Sequence, residues 1–185
     1  MSDEQIKQDQ ESDNTDKKIK KLKKPISSSK KNNIGLDVGT MNLVEAKLNE
    51  NDKIEASLMR NVFLKIDKDQ IGGLNLEELS YVKVDDEIFL VSDDALDLAN
   101  VFNQKISRPM SKGMISNKEI NSASVISAMI GELIGTAEEG AKCCYSVPAN
   151  PVDAEEMNVI YHIGVFERII SNYGYKAIPL NEAIA

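Results

Sequence analysis

The residues best suited to chemistry lie near the start of the chain: Asp37, Gly39 and Thr40, inside Asn33-Ile34-Gly35-Leu36-Asp37-Val38-Gly39-Thr40-Met41-Asn42-Leu43-Val44. An apolar strand ends in a carboxylate, turns at Gly-Thr and runs straight into a second strand. A carboxylate at such a strand end can hold magnesium through water, and a glycine turn lets backbone N–H groups approach phosphate oxygens with no Cβ in the way. The chemistry indicated is the grip on a magnesium-bound nucleotide. The same Asp-x-Gly-Thr pattern also suits a hairpin that binds nothing, so the rest of the chain decides its weight.

The elements that must position this hairpin read as an α/β unit. Ile34 to Val38 and Leu43 to Leu48 are paired strands, Val62 to Ile66 is another, and Ser80 to Val84 with Glu87 to Val91 is a hairpin around Asp85-Asp86. Ser116-x-x-Glu119 is a capping box, and the helix it opens carries Ile120, Ala123, Ile126, Ile130 and Leu133 at spacings of three and four. Lys142 to Val147 reads as a central strand. Asn150-Pro151-x-Asp153 then supplies an N-cap, a proline at the first helical position and an early acid. That helix is expected to bury Val159, Ile163, Phe166, Ile170 and Tyr173 and to end at Gly174. Tyr175 to Leu180 returns as a strand and delivers Glu182 to the carboxyl end of the sheet, where α/β sheets bind ligands.

Composition bounds what surrounds this unit. The chain has 185 residues, 42% of them hydrophobic, enough for one core outside a polar N-terminal segment. Residues 1–32 open acidic, turn basic and hold almost nothing to bury, so the reading is a disordered tail. Ile19, Leu22 and Ile26 recur among the lysines of Lys17 to Lys31, which would suit contact with an anionic membrane surface. Pro25 and Ser27-Ser28-Ser29 interrupt that face and suit a solvated linker instead. The net charge is −8 although the tail is locally positive, so the remainder is strongly acidic, and no nucleic-acid partner is expected of it. The two cysteines are the neighbours Cys143 and Cys144, which form no long-range disulfide framework, and no apolar N-terminal segment for export is read. The expected location is cytoplasmic, possible membrane association resting on the tail. On a strand the cysteines face opposite ways, one buried and one against a helix, and the lone His162 completes no recognised metal spacing with them.

Three segments taken in order resemble the actin-like ATPase superfamily, which includes actin, the bacterial filament protein MreB, DnaK-type chaperones and sugar kinases. The Asp37 hairpin is similar to its first phosphate loop. Ser107-Arg108-Pro109-Met110-Ser111-Lys112-Gly113-Met114-Ile115 resembles the segment that returns MreB-like chains from a small inserted subdomain. Cys144-Tyr145-Ser146-Val147-Pro148-Ala149, the following helix, and Ala177-Ile178-Pro179-Leu180-Asn181-Glu182-Ala183 resemble the superfamily's Val-Pro-Ala strand, helix and acidic connecting motif. The resemblance covers Asn33 to Ala185. It implies a ribonuclease H-like actin-type subdomain, a mixed sheet flanked by helices, with a small inserted α+β subdomain at about 55–105.

The resemblance also implies roles. Asp37 would orient hydrated Mg2+, Gly39 and Thr40 would cradle the β- and γ-phosphates of ATP (or GTP), and Asn42 would face them. Glu182 would position the attacking water. Leu43 stands where a small hydroxyl residue is common and Ala183 where proline is usual, differences that fall on the phosphate grip and the water placement. The second phosphate loop and the adenosine loop of the superfamily have no counterpart in these residues, so the expectation is the N-terminal lobe of a longer MreB-like ATPase. Such a protein would form filaments when complete, and the lobe alone would not turn over. A DnaK-type chaperone or kinase of the same fold and a stand-alone half-domain acting as a binding module are the alternatives.

Overall fold

Residues 34–38 alternate between core and open positions, with Ile34, Leu36 and Val38 buried and Asp37 exposed, the two-residue period of a strand packed on one face. In the computed structural model, which describes residues 32–116, 121–148 and 159–182, this strand is β1 (Ile34–Val38), the centre of a five-stranded sheet. It pairs antiparallel with β2 (Asn42–Leu48), bringing Val38 opposite Leu43 and Asp37 opposite Val44. β2 pairs antiparallel with β3 (Ile54–Arg60). On the other side β1 runs parallel to β9 (Lys142–Val147), and β9 runs parallel to the edge strand β10 (Lys176–Asn181), giving the order β10-β9-β1-β2-β3.

An insertion opening at about residue 55 meets a different arrangement, because Ile54–Arg60 belongs to this main sheet as β3. The reason is local turn chemistry. Asn49 Oδ1 accepts the N–H groups of Asn51 and Lys53, and Asp52 takes φ +58°, so β2 doubles back at once into β3. The small sheet starts after it. β4 (Phe63–Ile66), the short helix α1 (Lys68–Ile71), β5 (Tyr81–Val84), β6 (Glu87–Val91) and α2 (Ser92–Phe102) follow in sequence, with the strands in the order β4-β6-β5. Helix α2 begins with Asp93 and Asp94 in its first turn, which favours the helix dipole, and stops at Asn103 in the left-handed conformation at φ +50°. It buries Ala95 and Ala99 against Val62, Leu64, Ile66 and Leu90. A two-stranded ribbon, β7 (Met110–Ser111) and β8 (Met114–Ile115), leads back to the main sheet through Lys112 and Gly113, both at positive φ.

Two helices cover one face of the main sheet. Helix α3 (Ser122–Ile134) buries Val125, Ile126, Met129, Ile130, Leu133 and Ile134, while Ala123, expected on its apolar face, is exposed. Ser122 takes the inward position instead, since burial follows the α-helical repeat set by the larger side chains that contact the sheet. Helix α4 (Val159–Asn172) buries Val159, Phe166, Ile169 and Ile170, with Ile163 and Tyr173 half-buried and His162 fully inside. These side chains share one core with Ile34, Leu36, Val38, Leu43, Cys143, Tyr145 and Val147 of the sheet. The opposite face of the sheet carries Leu48, Ile54, Leu58, Ile178 and Leu180, all exposed. The tail at 1–31, Glu119 of the capping box and Ile120 of the helix it opens, Ala149, the Asn150-Pro151-x-Asp153 cap and Ala183 lie outside the described residues.

Candidate phosphate site

The parallel pairing of β1 with β9 places Leu36 opposite Tyr145, so Asp37 falls beside Ser146. Ser146 Oγ donates to Asp37 Oδ1 at 2.7 Å and accepts the Val38 N–H at 2.9 Å. One hydroxyl thus fixes both the carboxylate and the backbone where the chain enters the turn. A carboxylate has about four lone-pair positions, so the Ser146 bond leaves Asp37 room to accept from water on a hydrated cation. Among the described residues no group of three or more His, Cys, Asp or Glu could cage a metal. A lone carboxylate with open lone pairs would suit a magnesium ion that keeps its waters and takes other oxygens from phosphate.

The turn itself is closed by the Gly39 N–H donating to Asn42 O at 2.9 Å. A Cβ built on Gly39 would lie 2.9 Å from that same Asn42 oxygen, a contact backbone does not yield to, so glycine is required here for space. Among the described residues neither the Thr40 nor the Met41 N–H has a backbone acceptor. Thr40 Oγ1 accepts the Gly113 N–H at 2.9 Å, so the ribbon β7–β8 is tied to the hairpin through the residue expected to face phosphate. A hydroxyl holds a donor as well as two lone pairs, and the Thr40 O–H can still turn outward. Asn42 opens β2 opposite Arg60 and is half-buried.

Glu182 lies one residue beyond β10, exposed, with its N–H donating to Val147 O at 3.0 Å. Leu180 is opposite Ser146 in register, so Asp37, Ser146 and Glu182 follow one another at the carboxyl ends of three adjacent parallel strands. Sequence reasoning named Asp37, Gly39, Thr40, Asn42 and Glu182 and gave no role to Ser146, Asn61 or Gly113. Ser146 had a readable signal, the one aliphatic hydroxyl of the Lys142 to Val147 strand, just before Val147-Pro148. Asn61 has a fainter one, a single amide just before the Val62 to Ile66 strand pattern.

Other chemical groups sit elsewhere. Cys143 is buried on the helix side and burial pushes its thiol up to about 12, whereas Cys144 is half-buried on the open face, where among the described residues no helix packs. His162 packs against Phe166 with ring centroids 4.6 Å apart, and both its ring nitrogens are buried without partners, so burial lowers it to about 4. A groove of about 680 Å³ between α3 and α4, lined among others by Lys83, Tyr161 and Arg168, shares no residue with the hairpin. No described helix is long and apolar enough to cross a membrane.

No curated protein matches the sequence. Among solved structures the chain is similar to MamK in a double helical filament, at 14% identity and a TM-score of 0.53 over 80% of this chain and 40% of that one. It is similar also to MreB 5 of Spiroplasma citri bound to AMPPNP, at 11% identity and a TM-score of 0.52 over 84% of this chain and 40% of that one. The chain therefore spans about 40% of the length of each, and the fold is that of the actin-like ATPases, present over a part resembling their N-terminal half. The family model of Volactin matches residues 33–185, from the first residue before β1 through the acidic segment after β10, and the chain belongs to the Volactin family.

Proposed function

We propose that this chain is the phosphate-gripping lobe of an actin-like nucleotide-binding protein, taking Mg2+ with ATP (or GTP) at the Asp37–Asn42 hairpin. The observation that carries the reading is Asp37, fixed by Ser146 at the carboxyl end of a parallel strand pair, beside a glycine turn with two N–H groups lacking backbone acceptors. In this reading Asp37 orients the waters of the ion, and the Gly39–Thr40 backbone meets the β- and γ-phosphates. Asn42 faces them, and Glu182 holds the attacking water opposite the γ-phosphate. Bound magnesium would neutralise charge on the phosphates. MreB 5, similar in fold, is a protein seen with AMPPNP, and MamK is one seen as a filament. The first supports nucleotide binding and the second filament formation, which we read as head-to-tail and of the MreB kind, as the activity of a complete protein of this family.

Titration of the 185-residue chain with Mg-ATP, followed by amide chemical shifts, tests the reading. Shifts at residues 37–42 and 113, with a dissociation constant of about 1 mM or weaker and dependent on magnesium, are expected, without turnover. Asp37→Asn should remove the magnesium dependence. Shifts confined to other residues, or unaffected by Asp37→Asn, would sink it.

A second reading has its own observation. The open sheet face exposes Ile54 to 76%, Leu48 to 59% and Leu58 to 52%, and such a surface suits a half-domain acting as a binding module. Concentration-independent monomeric behaviour in sedimentation would argue against that alternative.

A further inference from the structure

We propose that Asn61 is a positioning residue for the phosphate hairpin, holding its Gly39 and Met41 carbonyl groups inward so that the Thr40 N–H faces outward. Asn61 is the first residue after β3, where the chain crosses from the main sheet to the small one. Its Nδ2 donates to Gly39 O at 2.8 Å, and its backbone N–H donates to Met41 O at 2.8 Å. Two carbonyls of the turn are thereby held from one side by one residue. A peptide whose C=O is fixed has its N–H directed the opposite way, and for the Gly39 carbonyl that group is the Thr40 N–H, which has no backbone acceptor among the described residues.

The manner of burial points the same way. Asn61 is fully buried, and its Oδ1 has no partner. An unpartnered buried acceptor is a cost that an apolar side chain of the same size would not carry, so the value of an amide at this position lies in its donor. Reversing the amide would set Oδ1 against Gly39 O, two acceptors in contact, so the assignment of donor and acceptor follows from the geometry.

The crossing is stitched on its other side as well. Ser92, at φ +60°, gives its Oγ as acceptor to the Arg60 N–H at 3.1 Å, and its own N–H donates to Val62 O at 3.2 Å. Phe63 and Ser107 exchange both backbone hydrogen bonds at 2.9 Å. Asn61 is thus a fixed post that the hairpin leans on. The effect on nucleotide rests on the function proposed above, whereas the clamp itself does not.

The test uses the full chain with Asn61→Leu, which removes the donor and the unpartnered acceptor together. Amide hydrogen exchange at Gly39, the turn N–H that has an acceptor, is expected to rise about 10-fold or more, with β4 to β6 unchanged and the thermal midpoint held or raised. A core residue with no positioning role would give unchanged exchange in the hairpin, and that result overturns the proposal. So does acceleration spread evenly over both sheets. Should Asn61→Leu fail to fold, the native chain decides: slow exchange of the Asn61 side-chain NH2 protons, with a through-bond coupling to the Gly39 carbonyl, supports the clamp, and fast exchange without coupling rejects it. Shifts induced by Mg-ATP at residues 39–42 should vanish in Asn61→Leu. If the native chain shows no such shifts while the exchange contrast holds, the nucleotide reading fails and the clamp stands.

Discussion

The two faces of the main sheet come from the same strands and differ in almost every physical respect. On one, Leu36, Leu43, Cys143 and Tyr145 meet Ile126, Ile130, Phe166 and Ile170 in a closed core. On the other, the half-buried Cys144 and Ser146 lie among Asp37, Leu58, Ile178 and Leu180, which are exposed. The helix side is where folding energy is gathered, through apolar area removed from water. The open side keeps the groups that must meet a ligand, and its carboxylate is held by a hydroxyl without being buried. A polar residue on the closed face, such as His162, becomes a liability to stability, whereas Asp37 on the open face does not have to shed its water.

The contrast is broken most severely by emptying the closed face. Phe166→Ala should cost about 3–5 kcal/mol in denaturant unfolding, since Phe166 is fully buried against Tyr145 and His162. A cost below about 1 kcal/mol would mean that the core is not closed there.

Protonating His162 attacks the same face through charge. It is neutral in the folded chain, with its pKa lowered from 6.5 to about 4 by burial, so the unfolded chain binds more protons between those values. Stability is therefore highest above about pH 6.5 and falls as pH drops toward 4, by roughly 2–3 kcal/mol from this group. His162→Phe should flatten that part of the pH profile. An unchanged slope would assign it to carboxylates instead.

At the hairpin, Gly39→Ala forces the new Cβ toward Asn42 O and should cost about 1–3 kcal/mol, together with the loss of Mg-ATP shifts. The smallest effect belongs to the open face away from the site. Leu58→Ser should change stability by no more than about 0.5 kcal/mol, because that side chain is already 52% exposed. A large loss there would show that the face is covered in solution, and would turn attention to what covers it.

Parts of this were legible because the signal was local. The strand, the Asp-Val-Gly-Thr turn and the return strand occupy adjacent residues, and each follows from alternation and turn chemistry. The β5–β6 hairpin around Asp85-Asp86 was legible for the same reason, Asp85 taking φ +52°. β3 was passed over because Ile54–Arg60 has little buried surface to impose a pattern, only Met59 being inside. α2 was passed over because alanines do the packing, and they mark a helix face weakly. His162 was read as a residue without a metal site, but its place in the core follows only from the turn of α4 against Tyr145.

Alternation of apolar residues, the glycine turn and the acid after the last strand are properties of neighbouring residues, so the sequence by itself determined an α/β sheet with Asp37 and Glu182 at strand ends. What converges on the hairpin was decided by tertiary structure alone. Ser146 reaches Asp37 across 109 positions of sequence, Gly113 reaches Thr40 across 73, and Asn61 reaches Gly39 across 22. Partners that far apart share no local period. They meet only because the parallel pairing of β1 with β9, the ribbon turn and the crossing after β3 each have a single register that buries the helix-side core.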